Sequence, residues 1–236
     1  MRLLDAKRLE LVDVRGDAIP PYAILSHTWG DEEITLQELR HMRGRMPQSL
    51  DKRKRTIADK EGFAKVKDAA ALAVNRGFSY IWVDTCCIDK SSSAELSEAI
   101  NSMYLWYQQA AECYAFLSDV KPANEEDWSK PNSSLLRSRW FPRGWTLQEL
   151  IAPKSVHFYA KDWSFLGHKD GPDAFMRIIS EVTGIDVEVL DGRIDPLQLS
   201  ISARMKWASR RHTTRLEDTA YSLIGLFQVN MTLRYG

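Results

Sequence analysis

Tyr22-Ala-Ile-Leu-Ser-His-Thr-Trp-Gly30 decides the fold class. Its first half, Tyr22 to Leu25, is a short apolar run without alternation, the pattern of a strand buried on both faces. Its second half turns polar and aromatic, and Gly30-Asp31 turns the chain. Strands covered on both faces belong to sheets held between helices. In open sheets of that kind the carboxyl ends of the strands line the ligand crevice. Ser26, His27 and Trp29 would lie there. Ser26 and His27 could equally satisfy local backbone groups at a strand end.

The same pattern recurs downstream. Tyr80-Ile-Trp-Val-Asp-Thr-Cys-Cys-Ile-Asp-Lys90 reads as a second buried strand ending in Asp84, Thr85, Asp89 and Lys90. Acids at that end could orient sugar hydroxyls, pair with Lys90 or cap the next turn. Further strands are expected at Cys113 to Leu117, at Ser155 to Tyr159 and around Trp163 to Leu166, with an edge strand around Leu9 to Val14. Glu61 to Arg76 has helical spacing, with Phe63, Val66, Ala70, Ala73 and Val74 inward and Gly77 as its cap. Ser92 and Glu95 fit a capping box. They open a helix whose stripe of Leu96, Ile100, Met103, Tyr104 and Tyr107 is core. Asp173 to Thr183 is a helix with Phe175, Ile178, Ile179 and Val182 inward. Two more helices occupy residues 200 to 228, the second with Ala220, Leu223, Ile224 and Phe227 as its apolar stripe. The Lys- and Arg-rich stretch 40–60 and the stretch 119–134 read as loops. Alternating strands and helices imply an α/β fold, a parallel sheet flanked by helices. Residues 1–236 form one domain in this reading. The ending at Arg234-Tyr-Gly236 suggests a domain cut from a longer protein.

A second stretch, Ser138-Arg-Trp-Phe-Pro-Arg-Gly-Trp-Thr-Leu-Gln-Glu-Leu-Ile151, carries the candidate chemistry. At 100° per residue from Trp145, Leu147, Leu150 and Ile151 share the core side. Trp145 and Glu149, four apart, stack on nearly the opposite side. A cleft wall suits both, the indole as a flat apolar surface and the carboxylate as a charge in a partly dry setting. Alternatively, Trp145 packs under a loop and Glu149 pairs with an arginine such as Arg143.

Composition narrows the function classes. Lys plus Arg and Asp plus Glu are equal at 32 each, so no basic excess marks a nucleic-acid partner. Cys86, Cys87 and Cys113 show no metal-ligand spacing and read as reduced thiols of a cytoplasmic protein. On a strand the adjacent pair would point to opposite faces. No apolar run is long enough to span a membrane, and the charged start has no apolar signal core. Eight tryptophans suggest faces that bind something. Gly-rich phosphate cradles, a Gly-x-Ser-x-Gly elbow and His-Glu-x-x-His are all missing. An enzyme here would work with carboxylate and aromatic groups.

Three blocks together, Ala23-Ile-Leu-Ser-His-Thr-Trp-Gly30, Trp82-Val-Asp-Thr-Cys-Cys-Ile-Asp89 and Arg143-Gly-Trp-Thr-Leu-Gln-Glu-Leu150, resemble the heterokaryon-incompatibility (HET) domain of filamentous fungi. The resemblance implies a module at the N-terminus of a larger protein, often ahead of an NTPase switch and a repeat sensor. It also implies a trigger of cell death when unlike strains fuse. HET domains in turn resemble the TIR domain, a flavodoxin-like signalling fold. Tyr22 to Ser26 is similar to its first strand. Trp145 to Leu150 is similar to the segment bearing a Trp and, four residues on, the glutamate of NAD-cleaving TIR enzymes. Those enzymes tend to carry a Ser two residues before the Trp, where this chain has Arg143. Ser138-Arg-Trp140 looks similar in another register, which would leave Trp140 too far from the glutamate. The resemblance implies Glu149 as catalytic carboxylate, NAD as substrate with no separate cofactor or metal, and self-association. Ser26, His27, Trp29, Asp84, Arg143 and Trp145 are the candidate substrate contacts, with Trp145 and Trp29 stacking on rings and Arg143 on phosphate. A non-enzymatic assembly module is the other outcome of the same resemblance.

Overall fold

The computed structural model describes residues 1–14, 18–42, 56–128, 130, 132–171 and 173–236. The basic stretch read as a surface loop lies largely outside them. The described chain falls into two compact units, Met1–Leu25 with Trp29–Ala99, and Ser26–Thr28 with Ile100–Gly236.

In the first unit, β1 (Arg2–Asp5) and β2 (Glu10–Asp13) form an antiparallel hairpin, from Arg2 opposite Asp13 to Asp5 opposite Glu10. Arg2 ties the hairpin down, its Nε 3.1 Å from Asp13 and its Nη1 2.7 Å from Glu95. β3 (Tyr22–His27) is buried at every position and runs parallel to β4 (Tyr80–Trp82), with Ala23 opposite Ile81. Parallel neighbours need a crossover. α1 (Leu36–Met42) and α2 (Glu61–Asn75) lie on that connection. Val66, Ala70 and Ala73 of α2 are buried, while Phe63 and Val74 are half-buried. Gly77 ends α2 with φ +90°, and the bonds Phe78 N to Ala73 O (2.9 Å) and Gly77 N to Val74 O (3.0 Å) satisfy its last carbonyls. β4 is shorter than the apolar run suggests. Asp84 opens a helix, α3 (Asp84–Cys87), so Cys86 and Cys87 lie on a helix and not on a strand. An acid in a first turn favours that switch. β1 also pairs with β4 antiparallel, so the parallel pair β3–β4 continues into an antiparallel edge. α4 (Ser93–Gln109) starts with Ser92 Oγ accepting from Glu95 N at 3.3 Å. The Glu95 carboxylate turns to Asp89 N and Arg2.

In the second unit, β5 (Glu112–Phe116) runs parallel to β6 (Val156–Tyr159), with Cys113 opposite Val156, and β6 pairs antiparallel with β7 (Phe165–His168). Between β5 and β6 lies α5 (Thr146–Ile151), and after β7 come α6 (Asp173–Thr183), α7 (Val187–Leu190), α8 (Ile201–Ala208) and α9 (Asp218–Tyr221). In α6, Met176 and Ile179 are buried and Phe175, Ile178 and Val182 half-buried. The last helical stretch buries Tyr221, Ile224 and Leu226, whereas Ala220 is exposed. The core holds Tyr114, Trp140, Leu147, Leu150 and Phe158, all fully buried. The α/β class holds for both units. The tryptophans do not form an outer binding face. Trp82, Trp140 and Trp207 are buried, four are half-buried, and only Trp29 is exposed.

Candidate functional site

From Gly144 to Pro153 every residue is buried except Trp145 and Glu149, which are both half-buried. The helix face set apart by periodicity is therefore the face that meets solvent in part. Trp145 O accepts from Glu149 N at 3.4 Å, so the two side chains stand one turn apart.

Glu149 is held by a chain of donors. Ser26, fully buried near the end of β3, donates its hydroxyl to Glu149 Oε2. Trp140 Nε1 donates to Ser26 Oγ at 2.8 Å. An indole N–H can only donate, so it occupies a Ser26 lone pair and leaves the single hydroxyl proton for the carboxylate. Trp140 is itself fixed. Its ring lies edge-on to Phe141 (5.3 Å) and Phe158 (5.7 Å). Asp119 pins the preceding turn, accepting from Ser138 Oγ and Arg139 N, each at 2.8 Å. Trp140 thus reaches the glutamate through one hydroxyl, although its position in the sequence had put it too far away.

A second support comes from the far end of the chain. Residues 142–144 pair with His212, through His212 N to Pro142 O (2.7 Å) and Gly144 N to His212 O (2.8 Å). Only a residue without a side chain fits at 144, since a Cβ there would stand 2.5 Å from Thr213 Cγ2. This pairing seats Arg211, whose Nη1 donates to Arg143 O (3.0 Å) and Thr146 Oγ1 (2.9 Å) and whose Nε donates to Trp207 O (3.2 Å). Burial pulls the guanidinium down to about 10, and attraction to Glu149 acts in the opposite direction. At neutral pH it is charged. Lys169 is buried at the other end of α5, donating to Leu150 O at 3.2 Å and to Pro153 O. An ammonium at a helix C-terminus satisfies orphan carbonyls and the dipole. Burial still pulls it down to about 8. Cys113 Sγ lies 3.8 Å from Glu149 O, and burial first, then the Glu149 charge, pushes this thiol up. It is a poor nucleophile at neutral pH.

The second unit also holds His27, buried at the end of β3, and Arg143, half-buried beside Gly144. Trp29 and Asp84 belong to the first unit and contact each other, Trp29 Nε1 donating to Asp84 Oδ2 at 2.8 Å. Lys90 Nζ stands 3.6 Å from the Trp29 ring centroid. One face of the indole expected to stack on a nucleotide is therefore covered by an ammonium. Burial lowers the Lys90 ammonium, while Asp84, Cys86 and Glu33 act in the opposite direction. Sequence reasoning missed Arg211 and Lys169, which no local motif marks, and set Trp140 aside.

Residues 22–130 match the family described as Heterokaryon incompatibility protein (HET), so the chain carries a region of that family. It is also 44% identical, over 229 residues, to Vegetative incompatibility protein HET-E-1 of Podospora anserina. That alignment takes in 95% of this chain and 16% of the relative, so the chain spans a small part of the relative's length. The family match holds Ser26, His27, Trp29 and Asp84, and Glu149 lies beyond it. No solved structure matches the chain.

Proposed function

We propose that this chain is a cell-death effector domain of fungal heterokaryon incompatibility. In this reading it self-associates, is TIR-like in its chemistry, and hydrolyses NAD at the nicotinamide–ribose bond. The relative's name supports the incompatibility role, and its greater length fits fusion to a switch and a sensor. The observation that carries the chemistry is the half-buried Glu149 carboxylate, fixed by Ser26 and Trp140 and attracted by the charge of Arg211.

Nicotinamide leaves NAD with the bonding electron pair, which neutralises its ring. The ribose C1′ becomes an oxocarbenium centre, as in glycoside hydrolysis. Glu149 stabilises that positive charge electrostatically without reorganising, because Ser26 already fixes its carboxylate. Water adds to C1′ and loses a proton, giving ADP-ribose. Trp145 walls the site beside Glu149, and His27 and Arg143 orient polar groups of the substrate.

Expression in fungal cells tests the reading. Wild-type chain should deplete NAD before the cells die, and Glu149→Gln, nearly isosteric, should do neither at equal abundance. Undiminished killing by Glu149→Gln would instead favour assembly without catalysis.

A further inference from the structure

The second unit carries an open hollow of about 830 Å³ next to Arg211. Its wall combines Arg137, from the turn before Trp140, Lys206, from the end of α8, and Arg210 and Arg211, from the segment that pairs with Gly144. Ser138 and Trp207 complete the part that matters, and no carboxylate lines the cavity. The chain as a whole has zero net charge, so four cations around one hollow are a local asymmetry. Among the described residues, Lys206 and Arg210 have no ion-pair partner, and Arg137 attracts the Glu126 carboxylate, which is not part of the lining. The negative end of α8 accounts for a cation at Lys206. It does not account for Arg137 or Arg211, which come from elsewhere in the chain. Like charges around a shared cavity repel unless an anion sits between them.

We infer that this cavity binds the diphosphate group of a nucleotide. The guanidinium forks of Arg137 and Arg210 match phosphate oxygens in pairs, Lys206 adds a point charge, and Arg211, whose Nε and Nη1 already donate to Trp207 O, Arg143 O and Thr146 Oγ1, adds charge. Buried Trp207 supplies an apolar wall, and a volume of this size holds a ligand of nucleotide dimensions. The inference does not depend on NAD cleavage. The diphosphate could come from the dinucleotide that is cleaved or from a separate nucleotide.

Calorimetric titration of the purified chain with inorganic pyrophosphate, ADP and adenosine tests it, with Lys206→Gln and Arg210→Gln alongside. Both side chains are exposed, so the folds should survive, as checked by circular dichroism. Pyrophosphate and ADP should bind, more weakly as salt rises, and adenosine should not. Each substitution should weaken binding ~10-fold or more. Glu149→Gln should bind as the wild type does, which separates this inference from the catalytic one. Pyrophosphate that competes with NAD would assign the site to the substrate, and binding without competition would assign it to a separate nucleotide. No binding of pyrophosphate or ADP, or binding unchanged by both substitutions, would overturn it.

Discussion

Ser26→Ala cuts the donor chain at its middle, and the geometry sets the expected cost. The buried Trp140 N–H loses its acceptor, at about 1–3 kcal/mol for an unsatisfied buried donor. Glu149 loses a charge-assisted bond, but it is half-buried and water can replace much of it. The single substitution should therefore cost about 2–3 kcal/mol, most of it from the orphaned indole. Trp140→Phe loses one hydrogen bond and leaves a small void in the aromatic cluster, about 2 kcal/mol together. With Phe already at 140, Ser26→Ala orphans nothing. The double variant should be more stable than the sum of the singles implies by about 1–2 kcal/mol, well beyond the roughly 0.5 kcal/mol scatter of independent sites. Urea unfolding of the four proteins, followed by far-ultraviolet circular dichroism, measures this. Strict additivity would mean that Trp140 and Ser26 do not act as a pair.

Two further outcomes follow from the supports of α5. Gly144→Ala should cost about 1–3 kcal/mol, because the new methyl meets Thr213 Cγ2 and the residues pairing with 142–144 must shift. Adding Thr213→Ser removes that methyl, keeps the hydroxyl bonds to Arg215 O and Thr219 Oγ1, and should restore much of the loss in urea unfolding. Lys169, at about 8 when folded, lies below the roughly 10.4 of a free lysine. Between those values the unfolded chain holds the proton and the folded chain does not, so this group makes stability rise with pH. The stability difference between wild type and Lys169→Met should grow by on the order of 3 kcal/mol from pH 7.5 to 10.5. Taking the difference cancels the opposite trend from the raised thiol of Cys86, while Cys113, whose thiolate would attract the Lys169 ammonium, stays part of the difference. A flat difference would mean that Lys169 keeps its proton as freely when folded as when unfolded.

What periodicity encodes was legible in the sequence. α6 spans the residues expected of it, α2 ends one residue early, and the Trp145–Glu149 face emerged from 100° spacing alone. β4 was overextended because an apolar run does not say where a strand yields to a helix, and Asp84 carried that information. Antiparallel pairing at β1, β2 and β7 was not legible, since pairing direction leaves no trace in the composition of a short strand. The candidate site was half legible. Glu149 and Ser26 could be named, but their contact spans 123 positions and the Trp140–Ser26 bond spans 114. Arg211 was invisible for the same reason, because the backbone pairing at Gly144 brings it in.

The most direct test is to incubate purified chain, held at high local concentration by a fused multimer, with NAD and to follow nicotinamide by chromatography, beside Glu149→Gln under the same conditions. Steady release by the wild type with none from the variant is the predicted result. Absence of release from the multimerised wild type, or equal release from both proteins, would contradict Glu149 as the group that stabilises the reacting sugar.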